Sequence, residues 1–180
     1  MASKERKAID KVFISLGVMA TIALLGASAL GWYGYHFATT QVRTELSAQK
    51  IYFPPKGSAG LDPKEFPDLQ KYAGQLVDDG PKAKAYANGF IGKHLEKVAG
   101  GKTYSEVSTL AMKDPTNPDL QKQKATLFQG ETLRGLLLGD GYAYWTFGMI
   151  ALYASIASLA GAVVMAILVL LGWRHLKKLG

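Results

Sequence analysis

The stretch VFISLGVMATIALLGASALGWYGYHF occupies residues 12–37, and its reading decides the fold. No Asp, Glu, Lys or Arg occurs between Lys11 and Arg43. A second uncharged gap separates Asp140 from Arg174 and closes with IASLAGAVVMAILVLLGW at residues 156–173. Crossing a bilayer core of ~30 Å takes about 20 apolar residues, and each gap exceeds that. Backbone polar groups in hydrocarbon must be satisfied within their own segment, so each gap reads as an uninterrupted helix. The chain has 180 residues and a mean hydropathy of +0.05, high for 19% charged residues, because its apolar residues are concentrated in these gaps. The expected fold class is an all-α membrane protein: two transmembrane helices with a small helical extracytoplasmic region between them.

Charge sets the expected orientation. Lys4, Arg6, Lys7 and Lys11 precede the first span, and Arg174, Lys177 and Lys178 follow the second. The region between the spans holds 14 basic and 12 acidic residues and is nearly neutral. Lys and Arg near span ends mark the cytoplasmic side, so both termini are expected inside a cell membrane. The resulting organisation is a cytoplasmic N-terminus at 1–11, a span at 12–37, an extracytoplasmic helical region at 38–141, a span at 142–173 and a cytoplasmic C-terminus at 174–180. Trp32, Tyr33 and Tyr35 fall at the outer end of the first span, Tyr142, Tyr144 and Trp145 at the outer end of the second, and Trp173 at the inner interface. Amphipathic rings favour headgroup depth. Ala27-Ser28-Ala29 resembles a secretory cleavage site, but the apolar run continues past it into the aromatic cluster and reads as an anchor. The net charge of +7 lies mainly at the two ends, where it meets membrane lipid headgroups. Nucleic acid is not an expected partner.

Turn chemistry divides the intervening region. Residues 44–50 extend the first helix, and Pro54-Pro55 force residues 51–55 to be extended. Asp62-Pro63-Lys64-Glu65 has the form of a helix start, with a helix of modest length expected over 68–77 using Leu69, Tyr72, Ala73 and Leu76. A clearer helix begins after Gly80-Pro81 and stops at Gly100-Gly101, with Tyr86, Phe90, Leu95 and Val98 as its apolar face. Thr103-Tyr104-Ser105-Glu106 is a capping box opening a short helix on Tyr104, Val107 and Leu110. Asn117-Pro118 starts a longer helix through Leu127, Phe128, Leu133 and Leu137, with a kink expected at Gly139-Asp140-Gly141. A region of ~100 residues with short amphipathic helices has a thin core of its own.

Chemistry is sparse. The chain has no cysteine, so thiolate nucleophiles, disulfides and Cys-ligated metals are excluded. His36, His94 and His175 are far apart, and only a His36–His94 pair would share one side of a membrane; as a metal or haem site it lacks further ligands. His94 reads better as a polar residue on a helix face. Asp78-Asp79 and Asp114 read as turn and cap residues. Gly100-Gly101-Lys102-Thr103 lacks both the first glycine and the preceding strand of a phosphate loop. No charge lies inside either span, so there is no intramembrane relay. No catalytic residue, cofactor or metal site is expected.

The spans do carry an interaction signal. Ala23, Ala27 and Gly31 recur every fourth residue in the first, and Ala154, Ser158, Ala162 and Ala166 do so in the second. Small residues on one stripe let helix backbones approach closely. The partner is the other span, a second copy or another integral membrane subunit.

Leu46-Ser47-Ala48-Gln49-Lys50-Ile51, Gly92-Lys93-His94-Leu95-Glu96, Gly100-Gly101-Lys102-Thr103-Tyr104 and Leu133-Arg134-Gly135-Leu136-Leu137 together resemble a family of small actinobacterial two-span membrane proteins. The resemblance covers both ends and the latter part of the intervening region; residues 52–82 look like an insertion or a divergent stretch. It implies an actinobacterial cell membrane and no established activity. Some members carry a dioxygenase-subunit label, for which these residues hold no chemistry. The expected role is a non-catalytic accessory or scaffold subunit of a larger membrane assembly, with respiratory-chain complexes preferred over transport assemblies as hosts. The alternative is an envelope sensor, alone or homodimeric, binding a lipid or small ligand in a pocket lined by Tyr86, Phe90 and Leu127.

Overall fold

The structure, a computed structural model, describes residues 2–178; the side chains of residues 2–4, including the Lys4 charge counted above, lie outside that description. Every regular element among the described residues is helical. Helix α1 runs over Ala2–Ala48. It is followed by short 3-10 helices at Ala59–Leu61 and Pro67–Tyr72, then by α2 (Gly80–Lys84), a π-helical segment (Ala85–Ile91) and α3 (Gly92–Ala99). Helices α4 (Tyr104–Lys113) and α5 (Pro118–Leu136) lead into a second π-helical segment (Leu137–Ala143) and then α6 (Tyr144–Lys178). No proline falls within residues 2–53 or 119–178, which lets both long helices run unbroken. Two helices, Glu5–Ala48 and Pro118–Lys178, are long and apolar enough to cross a membrane.

The chain divides into two compact units, residues 1–37 with 147–180, and residues 38–146. In the first, the two long helices pack along a seam. Thr21 donates from its hydroxyl to the Gly17 carbonyl at 2.8 Å, which removes an exposed polar group from an apolar helix. Outward from the seam the helices expose Phe13, Ile22, Leu30, Ile156, Val164, Leu170 and other large apolar side chains.

The second unit has a single core. Phe53, Leu61, Leu127, Leu137, Val77 and Val107 are its fully enclosed side chains, and Val42 and Leu46 from the end of α1 pack with them. The core is thus more substantial than composition implied. The stretch 52–82 is integral to it, because Phe53, Leu61, Phe66, Leu69 and Val77 all lie in that stretch. Lys50 ends α1 in the left-handed region at φ +54°. Beyond it the chain is extended as expected: Tyr52 pairs with Leu76, Phe53 N–H donates to Gln75 O at 2.9 Å, and Val77 N–H donates to Ile51 O at 2.8 Å.

Two expected helices differ. Asp62 uses its carboxylate to accept from Lys64 N–H at 2.8 Å, forming a local turn instead of opening a helix. The helix expected over 68–77 stops at Tyr72, since Gly74 turns at φ +70° to bring Gln75 alongside Phe53. Other local signals hold. The Asp79 carboxylate caps α2 through Lys82 N–H, Asn117 caps α5 through Asp119 and Leu120 N–H, and Gly100 ends α3 at φ +58°. Thr103 and Glu106 form the full capping box, and the Glu106 carboxyl is held below its ordinary range by the Thr103 backbone N–H and hydroxyl. In α4, Val107 and Ala111 face inward while Leu110 is exposed, so the apolar face is turned by one position.

Candidate functional site

The two π-helical segments lie within the second unit, and α2 packs against the second of them. Turns of this kind are rare and tend to mark functional sites. Arg134 on α5 reaches the first of them. Its Nε donates to Ala87 O at 3.2 Å and its Nη2 to Asn88 Oδ1 at 3.1 Å, both in the first π segment. The same guanidinium is oriented by Glu131, whose carboxylate accepts from Nη1 at 2.9 Å. Sequence reasoning placed Arg134 in a family-like motif and missed this role, which depends on a contact 47 residues away. Arg134→Met is expected to cost the 38–146 unit about 1–2 kcal/mol by removing its bonds to Ala87 O and Asn88 Oδ1, the Ala87 carbonyl still accepting from Gly92 N–H, read as a lower denaturation midpoint with unchanged helix content.

The second segment is a close-approach site. A Cβ on Gly141 would lie 2.9 Å from the Ala83 Cβ, and one on Gly80 would lie 2.6 Å from the Trp145 side chain. The expected kink at Gly139-Asp140-Gly141 is thus a π turn whose glycine admits α2. Next to it, the Lys84 ammonium sits 4.4 Å from the Tyr142 ring centroid and donates to its hydroxyl at 3.2 Å. Lys82 binds Asp78 and also Asp79 at 3.3 Å. Burial lowers the Lys82 pKa, but the Asp78 hydrogen bond and the two carboxylate charges outweigh it and raise the group above its ordinary value.

The aromatic residues assigned to membrane interfaces fall into two sets. Trp32, Tyr33, Tyr144 and Trp173 are exposed. Tyr35, Tyr142 and Trp145 are half-buried, and Trp145 belongs partly to the core of the second unit. Its placement by sequence at headgroup depth ignored that competing use. His36 packs edge-on to Trp32 with centroids 4.8 Å apart, and His94 is exposed on α3. Among the described residues, no three His, Asp or Glu side chains converge on one point. Tyr86 and Phe90 are half-buried against the core, Tyr86 edge-on to Phe53 at 5.1 Å and Phe90 tilted to Phe66 at 5.7 Å.

The seam between α1 and α6 follows a sevenfold spacing. On α1 it uses Gly17, Leu24 and Gly31; on α6 it uses Gly148, Ser155, Ala162 and Val169. Cβ atoms added to Gly17 and Gly31 would lie 2.7 Å from Val169 Cγ2 and 2.8 Å from the Ala151 carbonyl oxygen. At its centre the buried Ser155 hydroxyl donates to Ser28 O at 2.7 Å, with Ser28 Oγ 3.2 Å from Ser155 Oγ. Of the every-fourth stripes, Gly31 and Ala162 are in this seam and Ser158 and Ala166 are half-buried beside it, while Ala23, Ala27 and Ala154 face outward. The reason is geometric. Four residues exceed one 3.6-residue turn by about 40°, so such a stripe winds around its helix, whereas alternating three and four keeps pace with a neighbour.

No protein-family model, curated protein or solved structure matches this chain. Its own surface therefore carries the functional reading. On α5 and the turn after it, Phe128 and Leu136 are 58% and 54% exposed, and nothing lies within 4 Å of a Cβ built on Gly135 or Gly139. A glycine inside an exposed helix costs about 1 kcal/mol against alanine, and no packing within the unit accounts for these two. They leave open helix surface beside large apolar side chains, and small residues of this kind let another backbone come close.

Proposed function

We propose that the chain is a two-span integral membrane protein with both termini in the cytoplasm. In this reading the unit over residues 38–146 is a non-catalytic docking module, and the protein is an accessory or scaffold subunit of a larger membrane assembly. The observation that carries the reading is the pair of exposed apolar side chains Phe128 and Leu136 beside the open Gly135 and Gly139. They lie outside both apolar gaps, on a unit that already has a core, and the Tyr104 ring 5.9 Å from Phe128 leaves Phe128 more than half exposed. Exposed large apolar residues beside open glycines are the composition of an interface centre rather than of a solvated helix. The outward-facing Ala23, Ala27 and Ala154 extend the same capacity along the spans. A respiratory-chain enzyme is the host nominated first, and the actinobacterial resemblance supports a cell membrane as the setting.

The test is a tagged purification in mild detergent, comparing the wild-type chain with Phe128→Asp/Leu136→Asp. Both positions are exposed, so the folded unit tolerates the change. The wild type should bring down a multi-subunit membrane assembly in fixed ratio, and the double variant should lose it while keeping its own yield and helix content. Recovery of the chain alone, or equal recovery by both forms, would refute the docking role.

A further inference from the structure

We infer that the seam of the helix pair opens, at its Asp10–His175 end, into a slot for a phospholipid carrying a primary-amine headgroup. The inference rests on the membrane reading. The slot has a volume of about 210 Å³, below the range of a drug-sized pocket, and it takes a segment of one acyl chain. Its walls are Phe13, Ile14, Met165 and Leu168. Gly17 and Gly172 form its floor and allow the helices to close beneath it: a Cβ on Gly172 would lie 3.1 Å from Ile14 Cγ1.

The polar end names the headgroup. Asp10 is half-buried, its Oδ2 is enclosed, and that oxygen has no hydrogen-bond partner. An enclosed carboxylate oxygen calls for a donor, and preferably a cationic one. The surrounding apolar walls hold no such group, and His175 is the only other titratable side chain lining the slot. A phosphatidylethanolamine carries both complements. Its ammonium donates to Asp10 Oδ2, its phosphate faces the His175 imidazole, and one chain follows the wall toward Gly17. The quaternary ammonium of phosphatidylcholine has the same charge but no N–H to donate, which makes the slot selective between lipids with the same phosphate and tails.

Native mass spectrometry of the detergent-purified protein, with dioleoyl phosphatidylethanolamine and dioleoyl phosphatidylcholine added in equal amounts, tests this. The wild type should retain the ethanolamine lipid over the choline lipid by roughly tenfold, the factor expected of one charge-assisted hydrogen bond. Asp10→Asn should bring that ratio close to one, and Leu168→Trp, at an exposed wall position, should reduce retention of both lipids. A wild-type ratio of one, or an Asp10→Asn variant that keeps the wild-type ratio, would overturn the slot. Alkaline extraction of the same membranes separates the two failures: release of the chain into the supernatant defeats the membrane reading, whereas a membrane-retained chain without preference defeats only the slot.

Discussion

Phe53→Ala is expected to destabilise the 38–146 unit by about 3–5 kcal/mol, the range for removing a large enclosed aromatic ring. Phe53 is 1% exposed and lies against two other rings, Tyr72 at 5.2 Å and Tyr86 at 5.1 Å. It is fixed from behind by its N–H bond to Gln75, so the backbone has little freedom to follow the ring into the space it leaves. Unfolding stability is typically 5–15 kcal/mol for a domain, so the loss is a large fraction of the total. It should appear in chemical denaturation as loss of the near-ultraviolet aromatic signal at lower denaturant concentration. A loss below about 1 kcal/mol would mean that the stretch 52–82 is an appendage and not part of the core.

Gly31→Leu is expected to disrupt the helix pair by about 3 kcal/mol, the upper end of ordinary overpacking. The obstacle is backbone. A Cβ at residue 31 would meet the Ala151 carbonyl at 2.8 Å and the Ser155 nitrogen at 3.2 Å, and no side-chain rotation relieves either. The readout can be covalent because the chain has no cysteine of its own. Ser28→Cys/Ser155→Cys places two thiols where the hydroxyl oxygens stand 3.2 Å apart. Mild oxidation should close that pair within one chain, and Gly31→Leu in the same background should slow closure strongly. Closure that stays rapid in the Gly31→Leu variant would show that the seam lies elsewhere.

What was legible in the sequence was local or set by solvent. The uncharged gaps define two helices long and apolar enough to span a bilayer because each charge within hydrocarbon is costly. The caps at Asp79, Thr103 and Asn117 could be read because each satisfies orphan backbone donors within a few residues of itself. Features that need a second element were hidden. The buried residues Ala83, Ala87 and Ile91 keep to one face at a spacing of four as a π segment widens the helix between Ala85 and Ile91, and Leu95 and Ala99 continue the face in α3. Periodicity at 3.6 found Leu95 and the core-packed Tyr86 and Phe90 but not the small, fully buried Ala83, Ala87 and Ala99. Arg134 read only as part of a family-like motif, since nothing near it in sequence shows that it reaches the Ala87 carbonyl. Asp62-Pro63 satisfies the rule for a helix start, yet its carboxylate serves Lys64 and the chain turns away. Trp145 shows the converse, an interface residue by composition that the fold also spends on covering Gly80.

The central claim is that both long helices cross the same membrane with the 38–146 unit outside the cell. Single cysteines at Ala8, Ala59 and Lys178, all exposed positions in a chain without cysteine, test it on intact cells with a membrane-impermeant thiol reagent. The account predicts that Ala59→Cys labels fully, and that Ala8→Cys and Lys178→Cys label only after the cells are opened. Labelling of either end on intact cells, or protection of the residue-59 thiol, would contradict it.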